Sequence, residues 1–154
     1  MTPIGDEDLS AEILFEETLL VVAGTRNKWT RRRSIELAEL IREPWAMPQH
    51  AEGSAAAAET FAACGLQVPR AEVVGGSIHL HHALIASGRL LGMWPASVLR
   101  FGAEHLSVKV LRVKMPVVPR PVGIITLKGR MISPVAQLFI DCAREVAKPL
   151  ARCK

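Results

Sequence analysis

Short apolar runs alternate with helix-like segments through the middle of the chain. Two of the helix-like segments end at Gly65 and Gly88, since a residue without Cβ suits a left-handed helix cap. The predicted order is strand 45–48, helix 53–64, strand 71–75, helix 77–87, strand 90–94 and a shorter helical piece from Ala96. This alternation predicts an α/β fold with a parallel sheet and right-handed crossovers. The runs Val73-Val74 and 90–94 lack polar alternation, which is typical of strands covered on both faces.

Further segments are predicted on either side of this alternation. Residues 13–24 are apolar and β-branched up to Gly24, so they predict one long extended segment. Ser34 can cap a short helix over 34–41. Two more extended segments are predicted at 106–115 and 122–128.

The last predicted helix is the best marked in the chain. It begins at Ser133, a capping residue, with Pro134 in the first helical position. Five apolar residues recur at helical spacing: Val135, Leu138, Phe139, Cys142 and Val146. This spacing predicts an amphipathic helix over 133–147 with those residues as its apolar face.

Composition is that of an ordinary globular domain. A length of 154 residues with 49% hydrophobic residues suits one domain with a substantial core. Nineteen basic and fifteen acidic side chains give a net charge of +4, a weak preference for acidic partners. The apolar runs are too short to cross a bilayer, and the acidic first residues do not resemble a signal peptide. Cys64, Cys142 and Cys153 lack CxxC spacing and are interpreted as reduced thiols of a cytoplasmic protein.

Three turns follow the predicted parallel strands, and such turns share one edge of a sheet. They comprise residues 48–50, 75–77 and 95–97. Each leads toward a helix, where unpaired N–H groups and the helix dipole favour an anion such as a carboxylate. Serines lie near all three helix starts: Ser54, Ser77 and Ser97. Taken singly, each serine is also explained as a simple helix cap.

The histidines beside the second turn leave several interpretations open. His79 and His82 are three residues apart and share a helix face, whereas His81 points elsewhere. Two histidines on one face are half of a metal site, but nothing in the spacing requires a metal. Partial burial without a role, and ligand contact by His79 or His50, are the other interpretations.

Sequence motifs of enzymes are missing from the chain. It contains no GxSxG, no GxGxxG and no P-loop, and no cysteine stands with a histidine in a nucleophile motif. We therefore predict no catalytic residue, no metal ligand and no cofactor.

A basic stretch at residues 26–33 stands apart from these features. Five positive charges surround Trp29: Arg26, Lys28, Arg31, Arg32 and Arg33. Such a stretch can hold phosphate groups, including those of nucleic acid. The alternative is a solvated turn beside a helix, with Trp29 and Trp45 as packing residues.

Three longer stretches carry a family pattern in their order and spacing. They are "LFEETLLVVAGTRNKWTRRRSIELAELIREPWAMP", "SGRLLGMWPASVLR" and "PVGIITLKGRMISPVAQLFIDCARE". In this order they resemble the effector-binding, or substrate-binding, domain of LysR-type transcriptional regulators. The resemblance covers about residues 12–147 of the sequence.

The resemblance implies an α/β fold like that of type 2 periplasmic binding proteins, with two lobes joined by crossover strands. By this analogy 1–154 form a partial effector-binding domain. Its parts are the second lobe at 26–115, crossovers at 13–24 and 117–125, and a helix at 133–147 that returns to the first lobe. A small effector, often a carboxylate or aromatic acid, would bind between the lobes. Its contacts map to Pro48, Gln49, His50, Ser77 and His79, at the edge already indicated by strand order.

Parts of the family pattern are missing from this sequence. The winged helix-turn-helix, the linker helix and the first half of the first lobe are absent, so we expect DNA binding only through such a missing region. Without their packing partners, 133–147 and 13–24 would leave apolar surface exposed. We therefore expect a homo-oligomer or marginal stability.

The favoured function is a ligand-sensing regulatory domain in the cytoplasm, with no membrane partner. Effector binding would close the cleft and shift an existing equilibrium of subunit packing. The alternatives are a stand-alone solute-binding module and a small metal-dependent enzyme.

Overall fold

A computed structural model describes residues 8–48, 51–102 and 107–151 of the chain. The chain divides into two compact units, one of Met1–Glu17 with Pro119–Lys154 and one of Thr18–Val118. We call them unit 1 and unit 2. The strands are β1 (Leu9–Glu17), β2 (Leu19–Gly24), β3 (Ile35–Glu36), β4 (Ala46–Pro48), β5 (Val73–Gly75), β6 (Leu91–Pro95), β7 (Val108–Val110), β8 (Val113–Lys114) and β9 (Arg120–Leu127). The α-helices are α1 (Ala51–Ala63), α2 (Ile78–Ala86), α3 (Ala96–Gly102) and α4 (Pro134–Ala151).

Unit 2 is an α/β unit whose strands include both parallel and antiparallel pairs. β4 and β5 are parallel, with Ala46 opposite Val73 and Pro48 opposite Gly75. A parallel bridge between Trp45 and Leu91 joins β4 to β6. β2 lies between β6 and β7 and is antiparallel to both. The α/β fold is therefore confirmed, but the sheet is mixed rather than wholly parallel.

The core of unit 2 forms around Trp45, which is fully buried. Its ring meets Phe61 edge to face at 5.6 Å, and its Nε1 donates to the Leu40 carbonyl at 2.9 Å. The buried residues of this cluster come from β2, β3, β4, β6 and α1, together with the segments around Leu40 and Leu111. A second cluster contains Val22, Ile85 and Trp94. Burying large apolar side chains from many elements is the main stabilising contribution to such a unit.

The two strands without polar alternation, β5 and β6, differ in how far their side chains are buried. Leu91, Met93 and Trp94 of β6 are all buried, as expected for a strand covered on both faces. In β5, however, Val74 is 58% exposed, so the same expectation is wrong there. β5 has no further described strand beside it in the strand order, so its side chains have a neighbouring strand on one side alone and are less fully covered.

The short helix expected over 34–41 is wrong in type and in its cap. Ile35-Glu36 pair in parallel with β8, and a 3₁₀ helix follows at Leu37–Leu40. The Glu36 N–H donates to the Glu39 carboxylate at 2.9 Å, so Glu36 rather than Ser34 is the capping residue. Pairing with β8 keeps Ile35 extended and buried, which overrides the local helix signal.

Unit 1 consists of α4 and the antiparallel pair of β1 and β9, two strands that are far apart in the sequence. The two strands are antiparallel from Leu9 opposite Leu127 to Glu17 opposite Arg120. The predicted extended segment 13–24 is thus divided at Thr18 between β1 in unit 1 and β2 in unit 2.

An ion pair fixes α4 on β1. The Arg144 guanidinium donates to both oxygens of the Glu12 carboxylate, at 2.8 and 2.9 Å in the shortest contacts, and to Asp141 at 2.8 Å. Hydrogen bonding to Arg144 lowers the pKa of Glu12 and raises the pKa of Arg144. Both side chains are over 40% exposed, so solvent screens the pair and its contribution to the free energy of unfolding is small.

The helix predicted from Ser133 is confirmed, and the face that it buries differs from the predicted apolar stripe, which was expected to leave apolar surface exposed. Ser133 Oγ accepts from the Ala136 N–H at 3.2 Å, and α4 begins at Pro134. Ile140 and Ala147 are buried, about 130° around the helix from the centre of the predicted stripe. The predicted stripe is solvent-exposed, at 78% for Val135, 66% for Leu138, 70% for Phe139 and 58% for Val146.

Candidate functional site

The carboxyl ends of β4, β5 and β6 lie at one edge of unit 2. β5 and β6 are each parallel to β4, one by the Ala46–Pro48 register and the other by the Trp45–Leu91 bridge. Trp45 is the junction of the three strands, because its carbonyl also accepts the N–H groups of Glu72 and Val73 at 2.9 and 3.3 Å. The carboxyl ends of the three strands therefore lie side by side.

A helix follows each of these strands. α1 begins at Ala51, α2 at Ile78 and α3 at Ala96. The first N–H groups of a helix lack intrahelical partners and carry partial positive charge, so the edge formed by α1 and α2 is suited to an anion.

Only one of the three serines predicted near the helix starts is a cap. Ser77 is the N-cap of α2, where its Oγ accepts from the Leu80 N–H at 3.3 Å. Ser54 is the fourth residue of α1 and Ser97 the second of α3, so neither holds the capping position. Ser77 is exposed, and its hydroxyl is thus available to a ligand at the same edge.

The three histidines of α2 have different surroundings. His79 is exposed, whereas His82 is half-buried and meets Trp94 edge to face at 5.6 Å. His81 is 8% exposed, and a Cβ added to Gly75 would lie 3.8 Å from its Nε2. The Nε2 atoms of His81 and His82 are both buried without a hydrogen-bond partner in the described structure.

His81 is a residue that sequence reasoning passed over. The spacing argument favoured the i, i+3 pair of His79 and His82 and directed His81 away from them. Yet His81 precedes the buried Ile85 by four residues, and that spacing places both on the inner face of α2. This signal was present in the sequence and would have placed His81 beside the end of β5.

The predicted site residues are only partly within the described structure. Pro48 ends β4 opposite Gly75, and Ser77 and His79 lie at the start of α2. Gln49 and His50 lie outside the described residues. The assignment of these five residues to an effector site stays a prediction.

Neither a metal-binding cluster nor a membrane-spanning helix is found among the described residues. Within 8–48, 51–102 and 107–151, no three His, Cys, Asp or Glu side chains are grouped so that they could hold a metal ion. In the same ranges, no helix has both the length and the apolar character needed to cross a membrane. Cys64 and Cys142 are free thiols, and Cys153 lies outside the described residues.

Solved structures of regulator effector domains are similar to this chain. The effector-binding domain of QuiR in complex with shikimate matches with a TM-score of 0.71 at 22% identity, over 95% of this chain and 68% of that one. The regulatory domain of Synechocystis PCC6803 CcmR in complex with 2-PG gives 0.73 at 18%, over 98% and 71%. The effector domain of Pseudomonas aeruginosa AmpR gives 0.68 at 18%, over 96% and 70%. At these identities the likeness shows the fold.

The family of the chain is shown by a match to a family model. The model described as the LysR substrate binding domain matches residues 1–148 of the sequence. No curated protein matches the chain.

Proposed function

The chain belongs to the LysR substrate binding domain family and is a ligand-sensing regulatory domain, and we propose that it senses a small carboxylate. This membership confirms the resemblance and the fold class inferred from the sequence. In this proposal the ligand is held where the carboxyl ends of β4, β5 and β6 meet, and its binding modulates transcription. Thr18–Val118 is then the second lobe, and Met1–Glu17 with Pro119–Lys154 contributes to the first.

One observation carries the proposal: the three parallel strand ends lie side by side next to the capped start of α2. A carboxylate there can accept hydrogen bonds from backbone N–H groups at a positive helix end. There is room for a ligand atom beside the Gly75 backbone. A Cβ built on this residue would have its nearest neighbours, in His81 and Leu80, at 3.8 Å. QuiR, a relative of the same fold, was solved with shikimate, which makes that compound a natural first probe.

The residues proposed to contact the ligand are those predicted from the sequence, with one addition. They are Pro48, Gln49, His50, Ser77 and His79, joined by His81. The buried Nε2 of His81 has no hydrogen-bond partner among the described residues and lies close to Gly75, so we include His81 for a ligand that approaches this glycine.

The proposed mechanism needs binding alone and no bond chemistry. A ligand that binds one arrangement of the domain better than another shifts the population toward it. We propose that the domain acts in the cytoplasm, where a transcriptional regulator meets DNA, and that DNA contact is made by a region other than residues 8–48, 51–102 and 107–151.

Self-association is the second part of the proposal. The exposed stripe of α4, formed by Val135, Leu138, Phe139 and Val146, offers apolar surface of the kind that marks an interface. We assign it to a second copy of the chain. If two α4 helices pack antiparallel about a two-fold axis, the apolar stripe of one copy covers the same stripe of the other, and the two helix dipoles are aligned favourably. The apolar surface that was expected to be exposed is found on α4. Segment 13–24 is exposed only in part, since Val21, Val22 and Ala23 are buried.

Replacing Ser77 with alanine tests the proposed ligand site. A library of small carboxylates that includes shikimate is first screened for compounds that raise the thermal midpoint. For such a compound, Ser77→Ala is expected to weaken binding about tenfold, because the hydroxyl and the fixed start of α2 are both lost. Isothermal titration calorimetry measures the change, and His50→Ala is expected to act in the same direction.

Ser133→Ala is the matched control, because Ser133 caps α4 with nearly the same geometry as Ser77 caps α2. Each substitution is expected to destabilise the fold by about 1 kcal/mol. Only Ser77→Ala should change the dissociation constant. Equal affinities in the parent, Ser77→Ala and His50→Ala would show that the site is elsewhere.

A further inference from the structure

Unit 2 contains a strongly basic cavity beside β7, away from the strand ends that form the proposed ligand site. Its volume is about 410 Å³. Five of its lining side chains are cationic and one is aromatic: Arg31, Arg32, Arg33, Lys109, Arg112 and Trp29. β7 and β5 lie at opposite ends of the strand order, so this cavity and the proposed ligand site are separate.

Backbone pairing brings two distant basic segments together. The Thr25 N–H donates to the Ser107 carbonyl at 3.0 Å, and the Ile35 N–H donates to the Arg112 carbonyl at 3.0 Å. Between these two hydrogen bonds, residues 28–33 lie beside residues 109–112. The sequence alone shows only the first basic segment, because the second adds its two cations through the pairing of β7 with β2 and of β8 with β3.

Four of the cations at this cavity have no acidic partner among the described residues. Arg32 pairs with Glu39 at 3.3 Å. No carboxylate in the described structure lies within 4.0 Å of the charged nitrogens of the other four: Arg31, Arg33, Lys109 and Arg112. Nearby, Lys28 and Lys114 do have partners, namely Glu43 and Glu36, each at 2.7 Å. The cavity therefore brings together four positive charges that no described carboxylate neutralises, and like charges repel unless an anion is present.

Trp29 adds a rigid wall with a donor that has no acceptor. Asn27 holds the 3₁₀ helix at Lys28–Arg31 by accepting from the Trp29 N–H at 3.0 Å and donating to the Gly88 carbonyl at 2.9 Å. The Trp29 ring packs against the main core cluster. Its Nε1 is buried without a hydrogen-bond partner in the described structure. A buried N–H of this kind usually finds an acceptor, but this atom is closed to solvent, so Trp29 contributes an aromatic wall to the cavity and not this donor.

We propose that this cavity binds a small phosphate-bearing molecule. Guanidinium groups match the geometry of phosphate oxygens, and arginines supply three of the four unpaired cations. The volume is that of a small-ligand site, and its concave form favours a compact anion over a duplex laid on a surface. The site is distinct from the carboxylate site and does not depend on it.

Pyrophosphate is the probe for this site, titrated into the full chain by calorimetry at constant ionic strength. The double variant Arg33→Gln/Arg112→Gln is expected to bind at least about tenfold more weakly than the parent, because two charged hydrogen-bond donors are lost. The matched control is Arg70→Gln/Arg89→Gln, which removes two exposed arginines of unit 2 outside the cavity. Its affinity should stay within about twofold of the parent.

Thermal unfolding separates loss of the site from loss of the fold. Without pyrophosphate, Arg33→Gln/Arg112→Gln should melt at the same temperature as the parent or higher, because like-charge repulsion is relieved. With pyrophosphate, the midpoint should rise for the parent and the control but not for this variant. Its response to the carboxylate that binds at Ser77 should be unchanged, which keeps the two proposals distinguishable.

Three results would overturn the proposal. One is equal affinity of the parent and the Arg33→Gln/Arg112→Gln variant for pyrophosphate. Another is no pyrophosphate binding by a folded parent. The third is a short DNA duplex that binds through Arg33 and Arg112 while pyrophosphate does not compete, which would identify a nucleic-acid surface instead.

Discussion

Replacing Trp45 with alanine is expected to destabilise unit 2 by about 4 kcal/mol, since removing a fully buried large aromatic leaves a cavity as well as losing transfer energy. The substitution also removes the edge-to-face contact with Phe61 and the hydrogen bond from Trp45 Nε1 to the Leu40 carbonyl, which keeps only the Glu43 N–H as a donor. Because single domains are stable by only about 5–15 kcal/mol, this is a large fraction of the total. Urea unfolding followed by circular dichroism measures it.

Two further variants control the Trp45 result. Trp45→Phe keeps an aromatic ring but removes the Nε1 donor, so we expect a smaller loss of about 1–3 kcal/mol. Phe101→Ala truncates an aromatic that is 60% exposed, so a change within about 0.5 kcal/mol is expected. If Trp45→Ala were no more damaging than Phe101→Ala, the core described for unit 2 would be wrong.

Placing glutamate at Leu138 and Phe139 together is expected to abolish self-association. Both side chains are about two-thirds exposed on the stripe that we assign to a second copy. Losing their apolar contact on both copies, and adding like charges, should weaken the dimer on the order of a hundredfold or more. Analytical ultracentrifugation of the parent and the variant over a range of concentrations measures the change.

Gln137→Glu/Lys148→Gln is the charge-matched control on the polar side of α4. It changes the net charge by the same two units but leaves the apolar stripe intact, so it should associate like the parent. A parent that is monomeric at all concentrations and unfolds in one sharp transition would contradict the assignment to a second copy. An associating Leu138→Glu/Phe139→Glu variant would contradict it as well.

Much of the fold could be predicted from local pattern because the pattern and the tertiary structure agree there. The predicted helices 53–64 and 77–87 correspond to α1 and α2, and the capping role of Ser133 is confirmed by its hydrogen bond. Parallel pairing of β4 with β5 also follows from the alternation of strands and helices. In these regions turn glycines, caps and apolar runs all favour the same structure.

The predictions that differ from the structure depend on long-range pairing. Residues 34–41 have a helical pattern, but pairing with β8, nearly 80 residues later, makes Ile35 part of a strand. β2 is antiparallel to both neighbours, which no local pattern specifies. For α4, periodicity identified an apolar stripe correctly but could not reveal that Ile140 and Ala147, on another side, pack on β1.

The candidate sites show the same division. Strand order alone indicated the edge at Pro48 and Gly75, because the ends of parallel neighbours must meet. The role of Ser77 as a cap followed from its residue type. The basic cavity could not be predicted, because Lys109 and Arg112 join Arg31 and Arg33 only through pairing of strands far apart in the sequence.

Amide chemical-shift mapping of the ¹⁵N-labelled chain with a carboxylate from the thermal screen tests the central claim most directly. If small acids are held at the meeting point of β4, β5 and β6, the largest shifts will occur at Gly75, Gly76, Ser77 and the first amides of α2. A carboxylate that binds tightly while those amides stay unchanged, with its shifts concentrated elsewhere in the chain, would contradict the account.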